Sequence, residues 1–147
     1  MPITELNHYS IRTLDLKASE QFYTGILGFT VGPRPAFPFP GLWLYNGDHG
    51  SYSNARVHII GVDPNDPEGL RKYLGDRNPD SLKGGTGTVD HIAFFATGLD
   101  EMRGRLKKKG VPYRERTVPS LGLHQIFLED PSQVTIELNY PASETRL

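Results

Sequence analysis

The sequence predicts an α+β fold in which two βαβββ units pair into a single curved sheet that encloses a cavity. The main observation is an internal repeat: a strand-like segment with a histidine, an amphipathic segment that ends at glycine, and a late strand with a second polar ligand occur twice. One such unit has too few strands to be stable alone, so two must pack together. The repeat is marked by His8, Gly28 and His58 in the first copy, and by His91, Gly110 and Glu137 in the second.

The first unit is predicted over about residues 4–62. Alternating residues indicate an initial strand with Leu6, His8 and Ser10 on one face. Asp15 is a typical N-terminal cap for a helix with apolar residues at helical spacing, and Gly28 is a typical residue at its end. The predicted elements are a strand at 5–11, a helix between 15 and 28, a strand at 29–32, a proline-rich loop, and strands at 42–45 and 55–61.

The second unit is predicted over about residues 89–140 and repeats this order. Residues 63–88 are rich in proline, aspartate, asparagine and glycine, which indicates a linker with one short helix near 68–74. Residues 141–147 are predicted to be a loose tail, and the chain of 147 residues fits one domain. The predicted elements of the second unit are a strand at 89–95, a helix at 99–109, and strands at 112–116, 123–128 and 134–140.

The bulk composition, with 37% hydrophobic and 22% charged residues, is that of a soluble globular protein. The formal net charge of −1 gives no electrostatic reason to expect nucleic acid or an anionic membrane as a partner. No apolar stretch is long enough for a membrane span and the N-terminus lacks a signal-peptide pattern, so we expect a cytoplasmic location. The basic run at 103–109 is interpreted as the solvated end of a helix. The chain has no cysteine, so any metal must be held by histidine, carboxylate and water.

Five segments, in order, carry a resemblance to a known family. They are residues 6–8, residues 22–29, residues 89–94, residues 125–131 and residues 136–138. Together they resemble the vicinal oxygen chelate superfamily, which contains glyoxalase I, extradiol dioxygenases, methylmalonyl-CoA epimerase and the fosfomycin- and bleomycin-resistance proteins. The resemblance covers roughly residues 4–140 and implies a glyoxalase-like fold.

By position, the resemblance implies that His8 and His91 are first-strand metal ligands and that Glu137 is a last-strand ligand. The fourth position falls on His58, where glyoxalase I has a carboxylate and the epimerase has an amide or a carboxylate. Extradiol dioxygenases are more similar, because two histidines and a glutamate hold their Fe(II) and a nearby histidine handles the substrate proton. The tyrosine expected beside the dioxygenase centre has no counterpart, since Phe127 falls near its place.

Three roles stay open for His58: a fourth ligand, a base beside the metal, or a cavity-lining residue without chemistry. Neutral imidazole suits both metal binding and proton transfer. Other aromatic and polar residues are expected to form the wall of a substrate pocket, because such pockets combine apolar walls with a few polar groups. The predicted substrate-binding residues are Phe39, Trp43, Arg56, Tyr113 and His124.

Two imidazoles and one carboxylate with open positions suit one divalent ion per chain, namely Fe(II), Mn(II), Ni(II), Co(II) or Zn(II). Such a centre chelates two adjacent oxygens of a small substrate, and His58 transfers the proton. We therefore expect a metal-dependent enzyme, and we favour extradiol-like ring cleavage because His58 is not a carboxylate. The alternatives are a lyase or isomerase similar to glyoxalase I or the epimerase, and a metal-free binding protein of the bleomycin-resistance kind. The resemblance also implies a homodimer.

Overall fold

A computed structural model describes residues 5–63 and 89–145, together with positions 65, 68 and 69. The chain divides into two compact units, Met1–Lys83 and Gly84–Leu147. Each unit contains one four-stranded sheet and a helix, in the order strand, helix, strand, strand, strand. The predicted α+β class and the two βαβββ units are confirmed. Of the short helix predicted near 68–74 only positions 68 and 69 are described, and both are helical; most of the predicted linker lies outside the described residues.

The first unit has a sheet in the order β1-β4-β3-β2, in which β1 is parallel to β4 and the other neighbours are antiparallel. Helix α1 packs against one face of this sheet. Its elements are β1 (Tyr9–Thr13), α1 (Leu16–Gly25), β2 (Thr30–Gly32), β3 (Gly41–Tyr45) and β4 (Ala55–Gly61).

Side-chain alternation along β4 determines which residues stay accessible for chemistry. Ala55, Val57 and Ile59 are at most 1% exposed, as expected for the strand face beneath α1. The residues between them, including Arg56 and His58, are only partly buried and belong to the opposite face. The helix therefore covers the apolar face of the sheet, and the polar residues of β4 share the face without a helix.

The first strand begins later than predicted. It starts at Tyr9, which pairs with Val57, rather than at residue 5. Before that point Asn7 makes other hydrogen bonds: its amide donates to the Ser53 carbonyl at 3.0 Å, and its own carbonyl accepts from Arg56 at 3.1 Å. Because these bonds replace strand pairing, His8 lies just before β1 rather than within it.

Helix α1 begins as predicted and ends earlier. The Asp15 carboxylate accepts from the amide of Ala18, which is the expected N-terminal cap. The last helical residue is Gly25, and the chain then turns until Gly28, which has a positive φ of 82°. Glycine adopts this conformation without steric cost, so Gly28 completes the turn into β2 but does not itself end the helix.

The second unit has a sheet in the order β5-β8-β7-β6, with β5 parallel to β8 and the other neighbours antiparallel. The strands match the predicted ones to within three residues at each end. The elements are β5 (Ile92–Phe95), α2 (Leu99–Lys109), β6 (Arg114–Val118), β7 (Leu123–Glu129) and β8 (Thr135–Pro141).

Helix α2 matches its predicted bounds. It buries Leu99, Met102 and Leu106 and ends at Gly110, whose positive φ of 66° forms a glycine C-cap. Its last turn holds three lysines near the negative end of the helix dipole, which agrees with the interpretation of the basic run. In the described part of the chain, no helix combines the length and apolar composition needed to cross a membrane.

The segment after β8 is more ordered than the predicted loose tail. Residues Ala142–Thr145 form a 3₁₀ turn. The carboxylate of Glu144 accepts from the amide of Gly98 at 2.8 Å, at the N-terminus of α2, where Gly98 itself has no side chain to supply a cap. A carboxylate at this end satisfies a free amide and suits the helix dipole. The prediction of a loose tail is wrong for residues 141–145.

Candidate functional site

The strand registers place the four predicted metal-site residues at matched positions of the two sheets. His58 on β4 pairs with Ser10 on β1, and Glu137 on β8 pairs with Ala93 on β5. His8 and His91 each precede those partners by two residues. The structure therefore brings His8 together with His58 in the first unit, and His91 together with Glu137 in the second.

In the second unit His91 lies between two carboxylates. Its Nε2 is 2.7 Å from Glu137 Oε2, and its Nδ1 is 2.7 Å from Asp90 Oδ2. If Nδ1 carries the proton and donates it to Asp90, Nε2 and Glu137 Oε2 present lone pairs to each other. Lone pairs at this distance require a positive species between them, either a second ring proton or a bound cation.

This pair fits a divalent metal ion. Histidine nitrogen and carboxylate oxygen bind zinc-like ions at about 2.0–2.2 Å, so two such ligands at a right angle would lie about 3 Å apart, and a small separation of this pair from its 2.7 Å would admit one ion. The Asp90 hydrogen bond adds the carboxylate–histidine arrangement that commonly orients metal-binding imidazoles. Among the residues that the structure describes, no three histidine or acidic side chains form one cluster, and the donors occur as pairs.

The first unit repeats the orientation of the histidine. His8 Nδ1 is 2.7 Å from Asn7 Oδ1, as His91 Nδ1 is from Asp90. Because an amide oxygen only accepts, His8 carries its proton on Nδ1 and leaves Nε2 free as a metal-binding lone pair. In both copies the residue before the histidine therefore selects the same tautomer.

His58 is held by stacking rather than by hydrogen-bonded carboxylates. Its ring lies 3.8 Å from the His8 ring and 3.8 Å from the Trp43 ring, at angles of 19° and 7°. Metal–nitrogen bonds lie in the plane of an imidazole and are about 2 Å long. Two nearly parallel planes at this separation have no common point within that reach. In this arrangement His8 and His58 cannot both bind one ion, which argues against His58 as a fourth ligand.

The environment of His58 keeps its imidazole neutral. Burial is the largest of the effects that together lower the pKa of His58 from 6.5 to about 4; the nearby charges of His8 and Arg34 act in the same direction, and a hydrogen bond to the Ala55 backbone acts in the opposite one. His58 Nε2 is buried and has no hydrogen-bond partner among the described residues. A neutral imidazole with a free nitrogen is in the form that accepts a proton.

The lowered pKa predicts an acid-sensitive fold in the metal-free protein. As the pH falls below about 6.5 the unfolded chain protonates residue 58, whereas the folded chain resists protonation until about 4. The unfolded state then binds more protons, so the free energy of unfolding decreases from pH 6.5 to 4. Denaturant titrations followed by the fluorescence of Trp43, the single tryptophan, measure this loss. The variant His58→Gln should lose less stability over the same range, and identical pH profiles would contradict the assignment.

Two predicted substrate-binding residues lie around His58. Trp43 stacks on its ring, and Phe39 is 8% exposed in a small apolar cluster with Ile60. The cavity that they line is only about 30 Å³, so in this unit alone they form a packed wall with no room for a substrate. Arg56 shares the His58 face, but its guanidinium donates to backbone carbonyls and supports the segment before β1.

Tyr113 lies in the second unit beside an open groove of about 510 Å³. Phe127 and Arg114 also line this groove, and Phe127 pairs directly with Glu137 across β7 and β8. The groove therefore lies next to the His91–Glu137 pair. Tyr113 lines this groove, and its role in substrate binding stays a prediction.

His124 does not lie with these residues, and the expectation that it lines the site is not supported. It pairs with Tyr140, whereas its neighbour Gln125 pairs with Asn139, so the face of Glu137 is occupied by Gln125. His124 is 6% exposed, with Nδ1 2.8 Å from the Thr117 hydroxyl and Nε2 3.7 Å from Glu115. It belongs to the face that packs beneath α2.

The buried Glu137 carboxylate has a hydrogen-bonding partner that sequence reasoning missed. Gln125 Nε2 donates to Glu137 Oε1 and, at 2.8 Å, to Asn139 Oδ1. Gln125 Oε1 in turn accepts from Arg116 Nε at 2.6 Å. The signal was present in the sequence, because the turn at 130–133 places the odd-numbered residues of β7 on the Glu137 face.

A family model and several known proteins are similar to this chain. A family model described as Glyoxalase/Bleomycin resistance protein/Dioxygenase superfamily matches residues 5–138. Glyoxylase I 4 from Arabidopsis thaliana is 28% identical over 139 residues, which cover 92% of this chain and 70% of that protein.

Solved structures show the same fold. The fosfomycin resistance protein FosX from Listeria monocytogenes matches with a TM-score of 0.63 and 21% identity, covering 99% of both chains. A mutant of FosX complexed with Mn(II) and 1S,2S-dihydroxypropylphosphonic acid matches with a TM-score of 0.65 and 20% identity, covering 99% of this chain and 98% of that one. Lactoylglutathione lyase from Agrobacterium tumefaciens matches with a TM-score of 0.59 and 19% identity, covering 95% and 96%.

Proposed function

We propose that this chain, which belongs to the Glyoxalase/Bleomycin resistance protein/Dioxygenase superfamily, is a divalent-metal-dependent enzyme that acts on a small substrate with two adjacent oxygens. The observation that carries the proposal is the His91–Glu137 pair, whose donor atoms lie 2.7 Å apart with a third group, Asp90, orienting the imidazole.

The proposed ligands of the ion are His8, His91 and Glu137. The support is their matched position in the two sheets and the shared Nδ1 hydrogen bond that leaves each histidine Nε2 free. Two neutral imidazoles and a carboxylate suit Fe(II), Mn(II), Ni(II), Co(II) or Zn(II). When bound, such an ion supplies Lewis acidity to the substrate oxygens.

His58 is proposed as the proton acceptor. Its neutral ring and its buried, unpaired Nε2 are suited to taking a proton from the substrate, while Trp43 and His8 hold the ring from both sides. The low pKa makes His58 a weak base, so it would remove only a substrate proton whose acidity a bound ion had raised. Ring stacking keeps water from the imidazole faces.

We favour a reaction that transfers a proton and consumes no dioxygen, as in a lyase or an isomerase. The relative named Glyoxylase I 4 supports it, and so does Phe127, because this phenyl ring without a hydroxyl lies opposite Glu137 and edge-on to His91 at 6.3 Å. Extradiol-like ring cleavage is the second candidate. It is favoured by a histidine, rather than a carboxylate, at position 58.

One experiment separates the two candidates. The protein is loaded with Mn(II) or Fe(II) and incubated in D₂O with α-hydroxy carbonyl compounds and, separately, with catechols. A lyase or isomerase incorporates deuterium at the carbon beside the carbonyl and consumes no dioxygen. Ring cleavage consumes one dioxygen per catechol. Failure of both reactions with every loaded metal would contradict the enzymatic proposal.

We also propose a homodimer, from the resemblance to a superfamily whose two-unit members commonly dimerise. Light scattering of the full chain at micromolar protein should give about twice the chain mass of 16.4 kDa. A strict monomer over the whole concentration range would contradict the dimer and would not contradict the proposed metal site.

A further inference from the structure

We propose that Gln125 and Arg116 are positioning residues that hold the Glu137 carboxylate in its metal-binding orientation. This inference rests on the proposed metal function and adds two residues to it. Three neighbouring strands contribute to the arrangement: Arg116 lies on β6, Gln125 on β7 and Glu137 on β8. All three lie on the same face of the second sheet. Arg116 pairs with Gln125, and Gln125 pairs with Asn139, which is two residues from Glu137 on β8.

The hydrogen bonds run in one direction across this face. Arg116 Nε donates to Gln125 Oε1 at 2.6 Å, and Gln125 Nε2 donates to Glu137 Oε1. The other carboxylate oxygen, Glu137 Oε2, is then presented to His91 Nε2 at 2.7 Å. The two oxygens of Glu137 therefore have separate tasks: one is held by the amide, and the other is left for the metal and its neighbouring ligand.

Donor and acceptor chemistry permits only one orientation of the Gln125 amide. A guanidinium has donors and no acceptor, so the oxygen of Gln125 must face Arg116. The amide nitrogen must then face β8, where both of its hydrogens are used, one by Glu137 and one by Asn139 at 2.8 Å. Arg116 thus prevents the amide from flipping, which would place its oxygen against the Glu137 carboxylate.

Burial makes the loss of these hydrogen bonds energetically costly. Gln125 and Glu137 are 4% and 5% exposed, so water is a poor substitute for the amide donor. A buried carboxylate oxygen without a hydrogen bond carries a large desolvation cost. Contact with the Arg116 cation also polarises the amide and strengthens its N–H donor. Loss of Gln125 should therefore free Glu137 to rotate, and the ion should lose a preorganised ligand.

The test is the dissociation constant of Mn(II), measured by calorimetry on the full chain. Gln125→Met keeps the length and shape of the side chain but removes its donors, and it should raise the constant about 10–100-fold, the usual effect of losing a group that orients a metal ligand. Arg116→Met should raise it less. In the Gln125→Met background Arg116→Met should have no further effect, because Arg116 acts through Gln125.

Arg114→Met is a matched control. Arg114 lies on the same strand and face, and its guanidinium covers the same Phe127 ring at 4.7 Å, compared with 5.3 Å for Arg116. No hydrogen bond connects Arg114 to Gln125 among the described residues. A general effect of positive charge would appear in both arginine variants, whereas positioning appears only in Arg116→Met. Equal effects of Arg114→Met and Arg116→Met, or wild-type affinity in Gln125→Met, would overturn the inference. Neither result would contradict the proposed metal site.

A second measurement tests the arrangement without metal. The side-chain amide protons of Gln125, observed by NMR in the metal-free protein, should exchange slowly in the wild type and in Arg114→Met, and rapidly in Arg116→Met. If the wild type binds no Mn(II), the proposed function fails, and this measurement still decides whether Arg116 holds the amide. Rapid exchange in the wild type, or protection that survives in Arg116→Met, would contradict the inference.

Discussion

His58→Gln should retain the metal and lose on the order of 10²–10⁴-fold in turnover, the usual contribution of a general acid–base group. Glutamine has a comparable reach and an amide oxygen that still coordinates, but it cannot accept a proton near neutral pH. The stacked His8 and His58 rings, 3.8 Å apart, argue that only one of them binds the ion. Metal content and steady-state turnover of the same preparation provide the measurement.

The control for this prediction is His49→Gln. His49 belongs to the same unit, but its Nε2 lies 2.6 Å from the Thr30 hydroxyl, away from the stacked rings. The His49→Gln variant should keep both its bound metal and its turnover. If His58→Ala loses its metal, then His58 is a ligand and not the base. If His58→Ala keeps its metal and its full activity, both roles are excluded and the residue only lines the site.

Each of His8→Ala, His91→Ala and Glu137→Ala should remove most of the bound metal while the protein still folds. The loss of affinity should exceed the roughly 10–100-fold that follows from losing an outer partner, because a direct bond to the ion disappears. Metal analysis after gel filtration measures occupancy, and circular dichroism checks the fold. Glu129→Ala removes an exposed carboxylate from the neighbouring strand of the same sheet and should retain full occupancy. Full occupancy in all three ligand variants would contradict the site.

Much of the fold could be predicted because the repeat and the strong local signals agree. Helix α2 was predicted at its observed bounds, since its apolar face, basic last turn and Gly110 all point to the same element. Strand β4 was also predicted at Ala55–Gly61. The start of β1 was missed because strand pairing ends where Asn7 bonds to Ser53 and Arg56, and these contacts involve residues almost fifty positions apart.

The candidate site was predictable as far as the repeat reaches. The matched register supports the equivalence of His8 with His91 and of His58 with Glu137, which the spacing had suggested. The repeat carries no information about side chains that differ between the copies. Gln125 and Arg116 are hydrogen-bonded in line to Glu137, whereas His58 is stacked on Trp43 and the nearby Arg34 donates to the Phe39 carbonyl. A carboxylate needs hydrogen-bond donors, whereas an imidazole can be held by stacking.

The prediction for His124 failed for a reason that the sequence contained. The turn at residues 130–133 joins β7 to β8, and the resulting register pairs Glu129 with Thr135. Alternation from that pair places Gln125 on the face of Glu137 and turns His124 towards α2. His124 was predicted from the chemistry of histidine, but the register places its neighbour Gln125 on the face of Glu137.

The number of divalent ions bound per chain is the most direct test of the central claim. The protein is stripped of metal with a chelator and dialysed against a small molar excess of Mn(II). Its metal content is then measured by elemental mass spectrometry and divided by the protein concentration. One ion shared by His8, His91 and Glu137 predicts a stoichiometry of about one per chain, which each of the three alanine substitutions lowers. A protein that binds no divalent metal under these conditions would contradict the account and indicate a metal-free binding protein.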